Sequence, residues 1–206
     1  MPDSYLTTAA KDRRCDAAKE FVMRYPLLAA CLGLCVSVQA EGLDARIAEG
    51  AALIPAFQKH LLETVQGAMR QGGPARAVAA CQTLAPGIAE AHGQDGWRVG
   101  RTALKVRNPA NAPDAWERQV LEDFARRVQA GEPLAGMQRA EVVDGDVRVM
   151  KPIATGAPCL ACHGTQVEPQ LARLIRERYP DDQATGFREG ELRGAFTLRR
   201  PVDDEG

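Results

Sequence analysis

Five consecutive residues, Cys159-Leu160-Ala161-Cys162-His163, place two thiols and an imidazole in the pattern C-x-x-C-H. This is the attachment signature of a c-type haem. The thiols add across the two vinyl groups of the porphyrin to form thioethers, and the adjacent His163 stands under the iron as its proximal ligand. Cys-x-x-Cys also occurs in thioredoxin-like dithiols and as half of a zinc knuckle. A closed zinc site needs four ligands, however, and the consecutive Cys162 and His163 are poorly placed to bind one tetrahedral ion together. No second Cys pair completes such a site. A redox dithiol belongs on a strand-to-helix turn early in a βαβ unit, whereas this motif falls late in the chain.

Compartment bears on that choice. Residues 26–38 (PLLAACLGLCVSV) form an apolar run too short to span a bilayer. Met23-Arg24 precedes it, and Val38-Gln39-Ala40 ends it in a small-residue cleavage pattern. Residues 1–40 therefore read as an N-terminal extension and secretory signal, with Met23 as the initiator and cleavage after Ala40. Leu28-Ala29-Ala30-Cys31 has the look of a lipoprotein box, but the apolar stretch before Cys31 is too short. Arg13-Arg14 lacks the context of a twin-arginine signal and reads as two surface charges. The expected localisation is periplasmic or otherwise exported, which suits haem c attachment. Of six cysteines, Cys15, Cys31 and Cys35 leave with the signal, and Cys81, Cys159 and Cys162 remain. With the motif pair bound to haem, Cys81 is the odd thiol in an oxidising compartment.

Residues 41–206 are enough for one core and one domain. They keep 21 basic against 23 acidic side chains, a balance that points to neither nucleic acid nor anionic lipid as a partner. No later stretch is long and apolar enough for a membrane span.

The elements that position the motif follow from periodicity. Over residues 43–70 Ile47, Ala51, Ile54, Leu61, Val65 and Met69 recur at helical spacing, and Gly72-Gly73 ends the helix. A second helix over residues 74–84 starts at Pro74 and carries Cys81 on its packed face, stopping before Pro86. Residues 97–108 alternate Arg101, Lys105 and Arg107 with Thr102, Leu104 and Val106, which predicts a strand with a basic face. A third helix is expected over residues 114–130, with Asp114 and Glu117 in its first turn and Gly131 beyond its end. Residues 141–149 read as a hairpin about Asp144-Gly145. A short helix over residues 168–178 and a strand over residues 194–199 complete the chain. Hairpin-type antiparallel strands with helices to one side argue for an α+β fold rather than a doubly wound sheet.

A wider set of residues resembles a known family. It comprises Cys81-x-x-x-Ala85-Pro86, Arg101-x-x-x-Lys105-x-Arg107-Asn108-Pro109-x-Asn111-x-Pro113, Lys151-Pro152-Ile153, the haem motif with Gly164, Tyr179-Pro180-Asp181-Asp182-x-Ala184-x-Gly186-Phe187, and Arg193-Gly194. Together these resemble the single-haem c-type, PAS-like sensor domain family, long catalogued as a domain of unknown function. The resemblance implies a PAS-like antiparallel sheet with N-terminal and flanking helices, one covalently attached haem, and a redox or small-ligand sensing role.

The resemblance also puts Cys81 in the segment facing the distal side of the iron. A thiolate there lowers the iron's potential, whereas a methionine raises it. The competing reading is a buried small side chain, which is what a free Cys usually is. His92, His60, Met137 and Met150 are the other candidates for the sixth position. Arg101, Lys105 and Arg107 are candidates to pair with haem propionates, the alternative being a solvated sheet face. The runs at residues 108–113 and 179–187 read as turn scaffolding. Two classes of function follow. One is a binding and redox module that senses redox state or a diatomic gas, or passes one electron to a partner. The other is a haem enzyme such as a peroxidase, in which His92 or His60 would have to serve as the distal acid-base group.

Overall fold

The computed structural model describes the backbone of residues 26–202 and the side chains of residues 42–202. The side chains of the expected leader, with Met23, Arg13-Arg14, Cys15, Cys31 and Cys35, lie outside the described residues. The chain forms two compact units, Met1–Ala45 and Arg46–Gly206, and every side chain considered below belongs to the second. Among the described residues no helix is long and apolar enough to cross a membrane.

Helix α1 (Pro26–Thr83) is broken at Gly72 and Gly73, whose dihedrals are non-helical. Gly73, at φ 67°, takes a conformation that costs a residue with a Cβ dearly. Pro74 opens the second segment, where its missing N–H has no helical partner to lose. Before the break Ile54, Phe57, Leu61 and Ala68 are buried, and after it Ala77 and Val78. A short helix α2 (Ala85–Ala91) follows at once, with Pro86 in its first turn. The helix that opens at Pro74 stops at Thr83, before Pro86 as expected, and the proline then sits in the first turn of a further short helix that was not expected.

Four strands form one antiparallel sheet in the order β1-β4-β3-β2: β1 (Arg98–Thr102), β2 (Arg139–Val143), β3 (Asp146–Ala154) and β4 (Leu192–Pro201). The β2–β3 hairpin turns at Asp144 and Gly145, both at positive φ (51° and 81°), as a tight two-residue turn requires. Helix α3 (Ala115–Gln129) begins with a capping box, Asp114 accepting from the Glu117 N–H and Glu117 from the Asp114 N–H. It lays Val120, Leu121 and Phe124 against Met150 and Ala195 of the sheet. Period-2 alternation turns the neighbouring Phe196 to the opposite face, where it meets Phe57 of α1 edge-on at 5.8 Å. The sheet is thus held between α1 and α3, so helices cover both of its faces and not one side as expected, because alternate residues of β4 are apolar on both faces.

Strand β1 is shorter than its alternating pattern predicts. It stops at Thr102, whose hydroxyl donates to the Asn111 carbonyl at 3.1 Å. Beyond it the chain turns toward residues 182–187. The Gln183 N–H donates to the Val106 carbonyl at 2.9 Å, and Lys105 Nζ donates to the Thr185 carbonyl. The charged alternation of residues 101–107 therefore serves a clasp between two loops after its first member. Residues 108–113 include a single 3-10 turn (Pro109–Asn111) that Asn108 caps, and α4 (Leu160–His163) and α5 (Pro169–Arg178) complete the described elements.

Candidate functional site

The C-x-x-C-H residues lie on a 3-10 turn (Ala157–Cys159) that runs directly into the single turn of α4. At a spacing of three on a helical turn, Cys159 and Cys162 share a face. Gly164 ends the turn, its N–H donating to the Leu160 carbonyl at 2.9 Å. The next hydrogen bonds run to a second segment. The Gly186 N–H donates to the Gly164 carbonyl and the Phe187 N–H to the His163 carbonyl, each at 3.0 Å.

His163 is fixed in one tautomer. Its Nδ1 lies 2.7 Å from the Ala184 carbonyl, which only accepts, so Nδ1 carries the proton and Nε2 keeps a free lone pair. Burial, reinforced by the Arg193 and Arg107 charges, pushes its pKa down to about 3 against the pull of the Ala184 bond. The ring is therefore neutral near pH 7, as a metal-binding imidazole must be.

Arg107 holds the loop that holds His163. Its Nε and Nη2 donate to the two carboxylate oxygens of Asp182 at 3.1 and 3.2 Å. Nη2 also donates to the Cys162 carbonyl at 2.6 Å and the Ala184 carbonyl at 3.3 Å. Asp182 in turn accepts from the Ala184 N–H at 2.9 Å. Both side chains are almost out of solvent, at 11% and 5% exposure, so the pair is a buried, geometrically matched one.

Arg107 and His163 border one cavity of about 380 Å³, within the range of small-molecule and cofactor sites. Phe57, Val65, Ala77, Val78 and Cys81 of α1 and Ala85, Pro86 and Ala89 of α2 make one side. Cys159, Cys162 and His163 also border it, as do Ile153, Tyr179, Arg101, Arg107 and Arg193. The walls are mainly apolar with a few charged groups, the usual constitution of a cofactor site. Cys81, Cys159 and Cys162 are all free thiols. Burial pushes the Cys81 thiol up in pKa, with Arg101 and Arg107 opposing that rise. Among the described residues no three His, Cys, Asp or Glu side chains converge to hold a bare metal ion. Cys81 and the motif share a cavity wall without forming such a cluster.

The cavity carries more cation than it can balance. Arg193, half-buried at the cavity wall, is drawn down to about 10, chiefly by loss of solvent and then by the nearby Arg107 and Arg101 charges. Arg101 is lowered by burial as well, and Cys81 and Tyr179 partly offset this. Arg107 is neutralised by Asp182. Arg193 is steadied by the Phe187 ring, 5.1 Å from its guanidinium, and by a 3.3 Å bond to the Lys105 carbonyl. Neither contact cancels its charge.

Of the residues singled out by sequence, Cys81, Arg101, Arg107, Cys159, Cys162 and His163 meet at this cavity. Lys105 is exposed and does not border it, lying instead 4.7 Å over the Phe187 ring. Met137 and Met150 are buried in the core beneath α3. His60 and His92 pair with each other and are not on the cavity wall. Sequence reasoning gave Arg193 no role and Asp182 no partner. Both lie in the family-like segments, and Arg107 two residues beyond Lys105 was the signal for a carboxylate counterpart.

The Tll0287-like family model matches residues 39–201. Among solved structures, the cyanobacterial heme-protein Tll0287 is similar, at 28% identity and a TM-score of 0.54, over 77% of this chain and 98% of that one. No curated protein matches significantly. The match over most of its length shows that this chain belongs to the Tll0287-like family.

Proposed function

We propose that this chain is an exported protein carrying one covalently attached haem c, and that it works as a redox module. The observation that carries this reading is the convergence of Cys159, Cys162 and His163 on a cavity that also has Cys81 on its wall. Cys159 and Cys162 would hold the ring by thioethers, and His163, with Nδ1 engaged by Ala184, would offer Nε2 to the iron. Arg101 and Arg193 would pair with the two propionates, which answers the unbalanced positive charge. The apolar side chains of α1 and α2 would cover the ring's faces. The similar cyanobacterial structure is that of a heme-protein, which agrees with this cofactor.

The haem, when bound, supplies an iron that exchanges one electron between ferric and ferrous states. Cys81 is the side chain we assign to its far side. Burial keeps that thiol protonated in the protein alone, and a nearby ferric charge favours the thiolate. Such a ligand lowers the potential and must be displaced before a diatomic gas can bind. Redox sensing or one-electron transfer to a partner is therefore the preferred use, with gas sensing requiring release of Cys81. A peroxidase finds less support, because neither His60 nor His92 reaches the cavity to act as a distal acid-base group.

The experiment is an absorption spectrum of protein exported by a host with working haem attachment, taken oxidised, reduced and with carbon monoxide. A six-coordinate low-spin spectrum whose chromophore stays with the chain after acid-acetone extraction is expected. A colourless or extractable product sinks the proposal, and rapid peroxide turnover would restore the enzyme reading.

A further inference from the structure

Away from the cavity, two imidazoles from different elements meet. His60 is exposed on α1, and His92 is the C-terminal cap of α2. Nδ1 of His60 and Nε2 of His92 lie 3.2 Å apart, with the rings tilted by 66°. One nitrogen must donate and the other accept, so at least one of the rings is neutral and keeps a lone pair. The His92 ring is braced from behind by the buried Phe57, at 5.7 Å between centroids.

The spacing has a second use. At the roughly 2.0–2.1 Å usual for zinc and imidazole nitrogen, two ligands of a tetrahedral ion stand about 3.3–3.4 Å apart. The observed separation is within a few tenths of an ångström of that, so the two nitrogens already stand at the distance a shared ion needs, and the rings must turn to aim both lone pairs at it. Glu63, one turn along α1 from His60, is held ionised by a 2.8 Å pair with Lys59.

We propose that His60 and His92 form an open binding site for a divalent transition-metal ion of the zinc or copper class, with water filling the remaining positions. Imidazole pairs suit these ions, whereas magnesium and calcium prefer oxygen donors. Among the described residues no third His, Cys, Asp or Glu completes a closed cluster, so binding is reversible rather than structural. An ion here ties α1 to α2. Both helices supply cavity wall, Phe57 and Val65 from the first and Ala85, Pro86 and Ala89 from the second. The site therefore clips together the side of the cavity that carries Cys81.

Zinc titrated into the purified protein and followed by calorimetry tests this, with His60→Gln and His92→Gln as variants. His60 is exposed and His92 is half-buried against Phe57, so an unchanged circular dichroism spectrum of each variant verifies the fold. One saturable equivalent is expected in the parent protein, weakened by about tenfold or more in each variant, with no binding of magnesium. Absence of zinc binding in the parent overturns the proposal. So does binding that persists undiminished in both variants, which would put the ion on the cavity thiols instead.

Discussion

Arg107 and Asp182, 75 residues apart in sequence, form a bidentate pair whose guanidinium also holds the Ala184 carbonyl that receives the His163 N–H. The pair sets the position of the imidazole without touching it. Removing the carboxylate leaves a buried guanidinium charge unanswered, a change that typically costs about 3–5 kcal/mol. Asp182→Asn is expected to lower the denaturant midpoint by a corresponding amount with no change in slope. An unaltered midpoint would show that the clasp contributes nothing to the fold.

Cys81 is the side chain on which the redox reading turns. In Cys81→Ser the reduction potential is expected to rise, because the hydroxyl donates less charge to the iron than a thiolate. The ferric absorption spectrum changes with it. Spectroelectrochemical titration of the variant beside the parent decides the point, and identical spectra and potentials would remove Cys81 from the iron.

Arg193 separates the cavity's needs with and without its ligand. Burial and like charges hold its pKa at about 10, so the cation is unfavourable in the cavity alone. Arg193→Met is therefore expected to leave the haem-free protein as stable as before, or more so, while lowering the yield of haem-loaded protein. Thermal unfolding of the two forms measures this. Equal loss of stability in both would make Arg193 a structural residue and not an anion partner.

Asp114 makes the fold acid-sensitive at a defined place. Burial raises its pKa, but the 2.7 Å contact with Arg148 and the N–H groups of Glu117 and Trp116 outweigh that and leave it below the ordinary value. A depressed carboxyl stabilises fully above its unfolded pKa, near 3.9, and the contribution is lost as pH falls through the folded value. Asp114→Ala should cost about 0.5–2 kcal/mol at neutral pH through the lost cap. It should also flatten the stability profile between about pH 4 and the folded pKa. Since Asp114 is partly exposed, the ionic part of this effect shrinks in high salt.

What was legible in the chain was local. The break at Gly72-Gly73, the turn at Asp144-Gly145 and the capping pair Asp114 and Glu117 all act within a few residues, and each stands in the structure where its residue types predict. The end of β1 was not legible. Arg101, Lys105 and Arg107 alternate as a strand should, but the partners that turn them aside, Thr185 and Asp182, come some eighty residues later. The same distance hid Arg193, which lies beside Phe187 and is brought to the cavity by strand β4. The motif at residues 159–163 announces a chemistry by its spacing, while the tautomer of His163 depends on Ala184, whose carbonyl carries no mark in the sequence.

Gly164 shows how tightly the motif is tied down on its far side. A Cβ built there would sit 2.5 Å from the Leu160 carbonyl oxygen, a backbone atom already held by the Gly164 N–H. It has no side-chain rotamer by which to give way. Gly164→Ala must therefore open the turn of α4, which costs about 1–3 kcal/mol if the strain is like that of an overpacked core. Opening the turn also pulls on the hydrogen bonds from Gly186 and Phe187 to residues 164 and 163, and so on the imidazole between them. The expected result is a lower melting temperature together with a shifted haem spectrum. A variant with parental stability and spectrum would mean that the turn relaxes freely, and that the glycine after the histidine is not needed to aim it.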